Sequence, residues 1–199
     1  MAERQPNRGL FDEVALRRFK VIIAAHLLVL LVATLGSGAS VNRTEYQIKA
    51  AFLLNFARFI DWPAAPSGGF DPLNFCVLGR DPFGSALEEA MEGQSVHGQP
   101  VQVRRIADVS ELSSCQAVFL PGSEMYRSDE LIKALSDRSV LTVGEAKDFA
   151  LRGGVINFVM QEGKVRFQIN PAAAARAHLK INFRLLQLAV IVRRGSDAK

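Results

Sequence analysis

The sequence predicts an α/β fold, a three-layer sandwich whose mostly parallel sheet carries helices on both faces and ends in an antiparallel C-terminal hairpin edge. Three observations carry this. Short, nearly continuous apolar runs recur at 73–79, 115–120 and 140–143, as expected of strands buried on both faces. Segments of helical periodicity separate them, and strand–helix–strand alternation at short spacing calls for parallel crossovers. Near the end, GVINFVM (154–160) and KVRFQI (164–169) are strand-like and separated only by Gln161-Glu162-Gly163, a tight hairpin.

Taken in order, residues 1–39 read as an export signal. A polar segment ends in Arg17-Arg18-Phe19-Lys20. Val21 to Leu35 is then apolar apart from His26 and Thr34, too short a run to span a membrane comfortably. Ser37-Gly38-Ala39 has the small-x-small form of a cleavage site, so cleavage is expected after Ala39. The long polar lead-in leaves an uncleaved anchor as the alternative. No cysteine follows the apolar run, which argues against a lipoprotein. Either way, a single domain at 40–195 is expected outside the cytoplasm, followed by a short tail at 196–199.

Tyr46 to Pro63 (YQIKAAFLLNFARFIDWP) reads as an amphipathic helix. Ile48, Phe52, Phe56 and Ile60 form its apolar stripe, with Leu53 and Phe59 beside it. Gln47, Lys49, Asn55 and Arg58 fall on the other side. Thr44 is placed to cap the first turn, and Asp61-Trp62-Pro63 ends the helix because the residue before proline leaves helical geometry. Four aromatic rings on this helix, Tyr46, Phe52, Phe56 and Phe59, require a large packing partner.

Ala64 to Pro72 is a turn-rich loop, and Leu73 to Gly79 the first buried strand. Arg80-Asp81-Pro82-Phe83-Gly84 leads into a helix through Leu87, Ala90 and Met91 that Gly93 closes. Val101 to Ile106 alternates apolar and polar residues, the mark of a half-exposed strand near an edge. Cys115 to Leu120 is buried, a helix covers Arg127 to Leu135, and Val140 to Val143 is stopped by Gly144-Glu145. Asn170-Pro171 caps a helix running to Ala177. Asn182 caps a last helix with the stripe Leu185, Leu188, Ala189 and Val192.

Composition narrows the function. Of 199 residues, 49% are apolar and 22% charged, enough for a sizeable core. Without the leader the chain keeps nineteen basic against seventeen acidic groups, a net +2, and no patch of nucleic-acid strength. Arg104-Arg105 and Arg193-Arg194 are isolated pairs. In an oxidising compartment the two cysteines, Cys76 and Cys115, are expected to form a disulfide. Two cysteines this far apart with no histidine beside either do not make a metal site. No HExxH, GxSxG or paired-carboxylate motif occurs, and His97 and His178 have no partner at motif spacing. Gly79 to Ser85 sits where a phosphate loop would, yet it lacks the lysine, and GxGxxG is absent. No enzyme, cofactor or metal is expected. The loops after successive strands meet at the carboxyl edge of a parallel sheet. There Arg80, Asp81, Ser123, Glu124 and Glu145 could hold a small charged or zwitterionic ligand, or serve as ordinary turn and capping residues.

Lys49-Ala50-Ala51-Phe52-Leu53-Leu54-Asn55-Phe56-Ala57-Arg58-Phe59, closed by Trp62-Pro63, resembles the N-terminal signature of the YfiR family. Val77-Leu78-Gly79 and Asp81-Pro82-Phe83-Gly84 resemble its first strand and turn. Phe167-Gln168-Ile169-Asn170, Ala173-Ala174, Leu179-Lys180-Ile181 and Leu185 to Ala189 resemble its C-terminal signature, and Cys76 and Cys115 stand where members often carry a pair. The resemblance implies a periplasmic, non-enzymatic regulator that binds and restrains the sensor domain of an inner-membrane signalling protein. A diguanylate cyclase is the first expectation and a histidine kinase the second, with an outer-membrane lipoprotein as a possible sequestering partner. Residues 140–199 hold no cysteine, so redox control through the second pair of some members does not carry over. His178 and Asn182-Phe183 depart from the family's glycine and small polar residues. Candidate partner contacts are Arg184, Gln187 and Ile191 on the last helix, and the edge strand Val101 to Ile106. The alternative reading is a periplasmic small-ligand-binding module using the crevice. A homo-oligomer is left open.

Overall fold

The computed structural model describes residues 37–63, 72–136 and 138–193; the expected leader up to residue 36, the turn-rich loop at 64–71 and the tail at 196–199 lie outside them. Helix α1 spans Ser37–Arg58, and the two-residue strand β1 (Ile60–Asp61) follows it. From there the chain runs through β2 (Leu73–Leu78), α2 (Ala86–Met91), β3 (Ser95–Val96), β4 (Gln99–Ile106), β5 (Ala117–Leu120), α3 (Ser128–Ala134) and β6 (Leu141–Gly144). It ends through α4 (Phe149–Arg152), β7 (Ile156–Gln161), β8 (Lys164–Ile169), α5 (Pro171–Arg176), β9 (Lys180–Ile181), α6 (Phe183–Leu188) and β10 (Val190–Ile191). Short 3-10 helices at Val109–Ser114 and Gly122–Arg127 flank β5. Among the described residues no helix is long and apolar enough to cross a membrane.

Eight strands form one sheet in the order β10-β8-β7-β6-β5-β2-β4-β3, and β1 pairs with β9 apart from it. Strands β4, β2, β5, β6 and β7 are mutually parallel, while β7 and β8 are antiparallel, as the hairpin predicts. Their turn holds Glu162 at φ 50° and Gly163 at φ 71°. Two successive positive φ values give the turn whose twist matches the flanking strands, and glycine supplies the second without steric cost.

Alternation along each strand divides the core in two. Phe75, Val77, Ala117, Phe119, Leu141 and Val143 belong to one cluster, with Leu53 and Phe56 of α1, Ile60 of β1, and Leu87, Ala173 and Ala174. Cys76, Leu78, Val118 and Leu120 belong to another, with Leu112, Leu131, Leu135 and Phe149. Period two in a strand sends neighbours to opposite faces, so both faces need a helical cover and both have one. Phe52 and Phe56 meet Phe158 and Phe167 with ring centroids 4.9–6.2 Å apart, which is the large partner that the aromatic helix required. On the opposite face Cys76 and Cys115 form the expected disulfide, Cα atoms 5.9 Å apart and 39 residues apart in sequence. Closing such a loop restricts the unfolded chain by roughly 4 kcal/mol in the chain-entropy account.

Three local expectations are corrected. Helix α1 starts at Ser37, so Thr44 lies inside it and does not cap it. No proline interrupts 37–43, and extending a helix costs less than nucleating one. Second, Lys49 is 4% exposed whereas Ile48 is 43% exposed, so the buried stripe runs Lys49, Leu53, Phe56, Ile60. Third, the last helix ends at Leu188, and Val190–Ile191 pairs in parallel with Gln168–Ile169. The β-branched run Val190-Ile191-Val192 favours strand, and the outer edge of β8 offers it a ladder.

Candidate functional site

Going outward from β2, the chain first adds β4 on one side and then crosses back to β5 on the other. The carboxyl ends of β2 and β5 therefore flank a switch point, where open α/β sheets form their crevices. Here the crevice is filled from inside. Gly79 has φ 80°, and the Cβ of any other residue there would lie 2.4 Å from Glu124 Cδ. Only glycine lets the Glu124 carboxylate come this close, where it accepts the Arg80 backbone N–H at 3.3 Å and the Tyr126 hydroxyl at 3.0 Å.

The open space lies further along the sheet. A cavity of about 490 Å³ is lined by Glu45, Tyr46 and Lys49 of α1, by Gly122 after β5, by Glu145–Asp148 after β6, by Asn157–Met160 of β7 and by Gln168 of β8. Register explains the opening. Asn157 stands opposite Gly144, the last residue of β6, so β7 overruns its neighbour and carries residues 158–160 past it.

Glu145 organises this region. One carboxylate oxygen accepts the Tyr46 hydroxyl at 2.9 Å and the Gly122 N–H at 2.8 Å; the other receives the Lys49 ammonium at 2.5 Å. Lys49 also meets Glu45 at 2.5 Å, and its nitrogen lies 4.5 Å from the centre of the Tyr46 ring. A buried ammonium survives only when paired, and two carboxylates and an aromatic face provide for it. Burial, then the charge of Glu145, pushes the Tyr46 hydroxyl pKa well above its ordinary value, so it stays a neutral donor. Deeper in, Asn157 is 2% exposed; its Nδ2 donates to Gln168 Oε1 at 3.4 Å, and its Oδ1 has no partner.

The five residues singled out from the sequence are distributed unevenly. Glu145 lines the cavity. Ser123 is exposed on the short 3-10 helix that Gly122 begins, and Arg80 is exposed after β2. Glu124 bridges the loops after β2 and β5 in the manner described. Asp81 accepts the Phe83 N–H at 2.7 Å and pairs with Arg105 at 2.6 Å. Arg105 also pairs with Glu88, whose carboxyl is held below its ordinary pKa chiefly by that hydrogen bond. Tyr46, Lys49 and Asn157 were not singled out. For Lys49 the sequence did carry a clue: it shares the 49, 53, 56, 60 spacing of the buried stripe, with Glu45 one turn before it.

The expected partner residues lie at the far edge. Arg184 and Gln187 are exposed on α6, and Ile191 is exposed on β10. The other expected contact strand, β4, meets β3 only through Gln99 and Pro100, so its run from Val101 to Ile106 has no further strand beside it among the described residues.

Two solved structures are similar to parts of this chain. A conserved domain protein from Vibrio cholerae shares 13% identity at a TM-score of 0.44, covering 59% of this chain and 54% of its own. An ABC domain from Streptococcus pneumonia in complex with L-Trp shares 12% at 0.46, covering 60% and 55%. The chain thus spans about half the length of either. The family model described as YfiR/HmsC-like matches residues 46–190, a span that contains α1 from Tyr46 onward, the sheet as far as Val190 and, apart from Glu45, the residues around Glu145. On that match, the chain belongs to the YfiR/HmsC-like family.

Proposed function

We propose that this protein is a periplasmic, non-enzymatic regulator that binds the sensor domain of an inner-membrane diguanylate cyclase and holds it in an inactive conformation. The YfiR-like family is periplasmic, regulatory and non-catalytic, and membership implies interaction with a membrane signalling protein. The observation that carries the reading further is the C-terminal edge. Of nine large apolar side chains exposed among the described residues, four fall in one short segment: Phe183, Leu188, Val190 and Ile191. An apolar segment left in water, with the exposed Arg184 and Gln187 interspersed in it, suits a protein interface that mixes apolar and polar contacts. Its action would be by occupancy: the regulator shifts the sensor only by the difference in its affinity for the two sensor conformations. An outer-membrane lipoprotein competing for the same edge would relieve the restraint.

The test is recovery of the full chain with detergent-solubilised membranes of its source organism, followed by mass spectrometry of what is retained. An inner-membrane protein with a periplasmic sensor and a cytoplasmic cyclase domain should be retained by the parent and lost from Leu188→Asp. Retention of nothing specific by the parent, or equal retention by the variant, would sink the proposal.

A further inference from the structure

We propose that the free edge of β4 binds an extended segment of another protein as an added strand, one with apolar residues at alternate positions and a lysine or arginine beside them. The site does not depend on the partner reading, because β4 and β10 lie toward opposite ends of the sheet.

The backbone directions come first. Ile106 O accepts the N–H of Gly79, the residue after β2, at 2.8 Å, so Ile106 faces β2; the Val101 N–H goes the other way, to Gln94 O at 3.1 Å. Alternation along the strand then turns Val103 and Arg105 outward like Val101. Because β3 covers only Gln99 and Pro100, the Val101 C=O, both backbone polar groups of Val103 and the Arg105 N–H have no strand beside them among the described residues. Such a row is a template for a further strand unless charges guard it. Here the charges are engaged elsewhere: Arg105 is tied to Asp81 and Glu88, and Arg104 to Ser114 Oγ at 2.6 Å. The groove beside the edge selects the strand. It measures about 500 Å³, and Met91, Val101 and Val103 give it apolar surface next to Glu88 and Glu92. Glu88 is held by Arg105, whereas Glu92 is exposed at the end of α2 with no cation paired to it among the described residues. Alternate side chains of an added strand point into this groove, so apolar residues seat on the valines and a cation two positions on meets Glu92. A second copy of the chain fits less well, because it brings another Arg104-Arg105 pair to the same short ladder.

Amide NMR spectra of the full chain, titrated with the end-blocked peptide Lys-Thr-Val-Thr-Val-Thr-Lys, test this directly. The pattern reads the same in both directions, so a lysine reaches Glu92 whichever way the strand runs. The backbone amides of Val103 and Arg105 are expected to shift saturably, at a Kd of about 1 mM or tighter. Glutamates in place of both lysines should weaken binding about fivefold, and Glu92→Lys should reverse that preference. Successive amides of an added strand face β4 and solvent in turn. N-methylation of the valines alone or of the threonines alone should therefore weaken binding about tenfold or more in one case and spare it in the other. Loss with the valines methylated means an antiparallel strand, and loss with the threonines a parallel one. No saturation by the parent peptide, loss with both methylated peptides or with neither, or equal binding of the glutamate peptide would overturn the proposal. Shifts of the same amides with protein concentration alone would also overturn it and give the edge to a second copy. None of these results bears on retention of a membrane protein by the C-terminal edge.

Discussion

The Glu145 region and the C-terminal edge are opposite solutions to placing side chains at the margin of one sheet. Around Glu145 the contacts join residues nearly a hundred positions apart: Tyr46 and Lys49 lie 99 and 96 residues from their carboxylate. At the C-terminal edge fewer contacts reach so far, although the Asn182 N–H donates to Phe59 O at 2.9 Å. Asn182 caps α6 by accepting the Arg184 N–H at 3.0 Å, and β10 is held to β8 by a two-residue register. Polar groups are buried in the first region and apolar groups are exposed in the second. Stability should therefore depend on the first, and the second is free to serve something outside the chain.

Lys49→Met gives the largest expected effect. It leaves Glu145, whose side chain is 11% exposed, and the partly exposed Glu45 without their cation, and breaking a buried pair by removing one partner costs about 3–5 kcal/mol. Urea unfolding should show a lower midpoint at an unchanged slope. The double variant Lys49→Met with Glu145→Gln should recover part of the loss, since no buried charge is then uncompensated. A loss under about 1 kcal/mol in the single variant would mean that the network is solvated like the surface, and the contrast between the two regions would fail.

Next comes Gly79→Ala, on the neighbouring crevice. The left-handed backbone alone costs a non-glycine residue about 1–2 kcal/mol, and the new methyl must displace Glu124. A total of roughly 2–3 kcal/mol is expected by the same unfolding measurement. If Glu124→Ala in the same background restored most of that loss, the close approach and not the backbone would be its source.

Much of this was legible in the sequence. The order of strands and helices, the hairpin, the caps at Asn170 and Asn182 and the aromatic packing of α1 follow from periodicity and turn chemistry, which are local. The disulfide followed from two cysteines and an expected compartment. A cation on an aromatic helix is ordinarily solvated, which places Lys49 outward from the sequence alone; only the carboxylate brought to it by the turn after β6 makes burial tolerable, and that pairing is not local. Asn157 was invisible for a related reason. Within a strand it is one more polar residue, and nothing in its local sequence shows whether its side-chain oxygen finds a partner. The last helix is shorter than its stripe predicts because leucine and valine suit either a helix face or a strand, and the outer edge of β8 takes Val190–Ile191 as a strand.

Arg105 provides an intermediate case on the surface. It pairs with Asp81 and Glu88 as Lys49 pairs with its two carboxylates, but its side chain and that of Glu88 are half exposed. The depressed Glu88 carboxyl stabilises the fold above the ordinary carboxylate pKa, and this contribution is lost as pH falls through the lower folded value. Screened by solvent, it should amount to under about 1 kcal/mol. Carboxyl NMR titration should find Glu88 below its ordinary value in the parent and returned toward it in Arg105→Gln. A Glu88 that titrates normally in the parent would remove the intermediate case.

The smallest effect on stability is expected at the edge itself. Leu188 is 73% exposed, and a substitution there touches no cap, cavity or buried pair, so Leu188→Asp should change stability by no more than about 0.5 kcal/mol, under about 2 °C in Tm for a domain of this size. Near-zero stability change together with loss of the retained membrane protein would make the leucine's purpose external, since an apolar side chain that contributes nothing to its own fold has no internal reason to remain in water. A clear fall in Tm would mean the opposite: Leu188 would cover part of the fold, the edge would be structural like the Glu145 region, and the contrast between them would disappear.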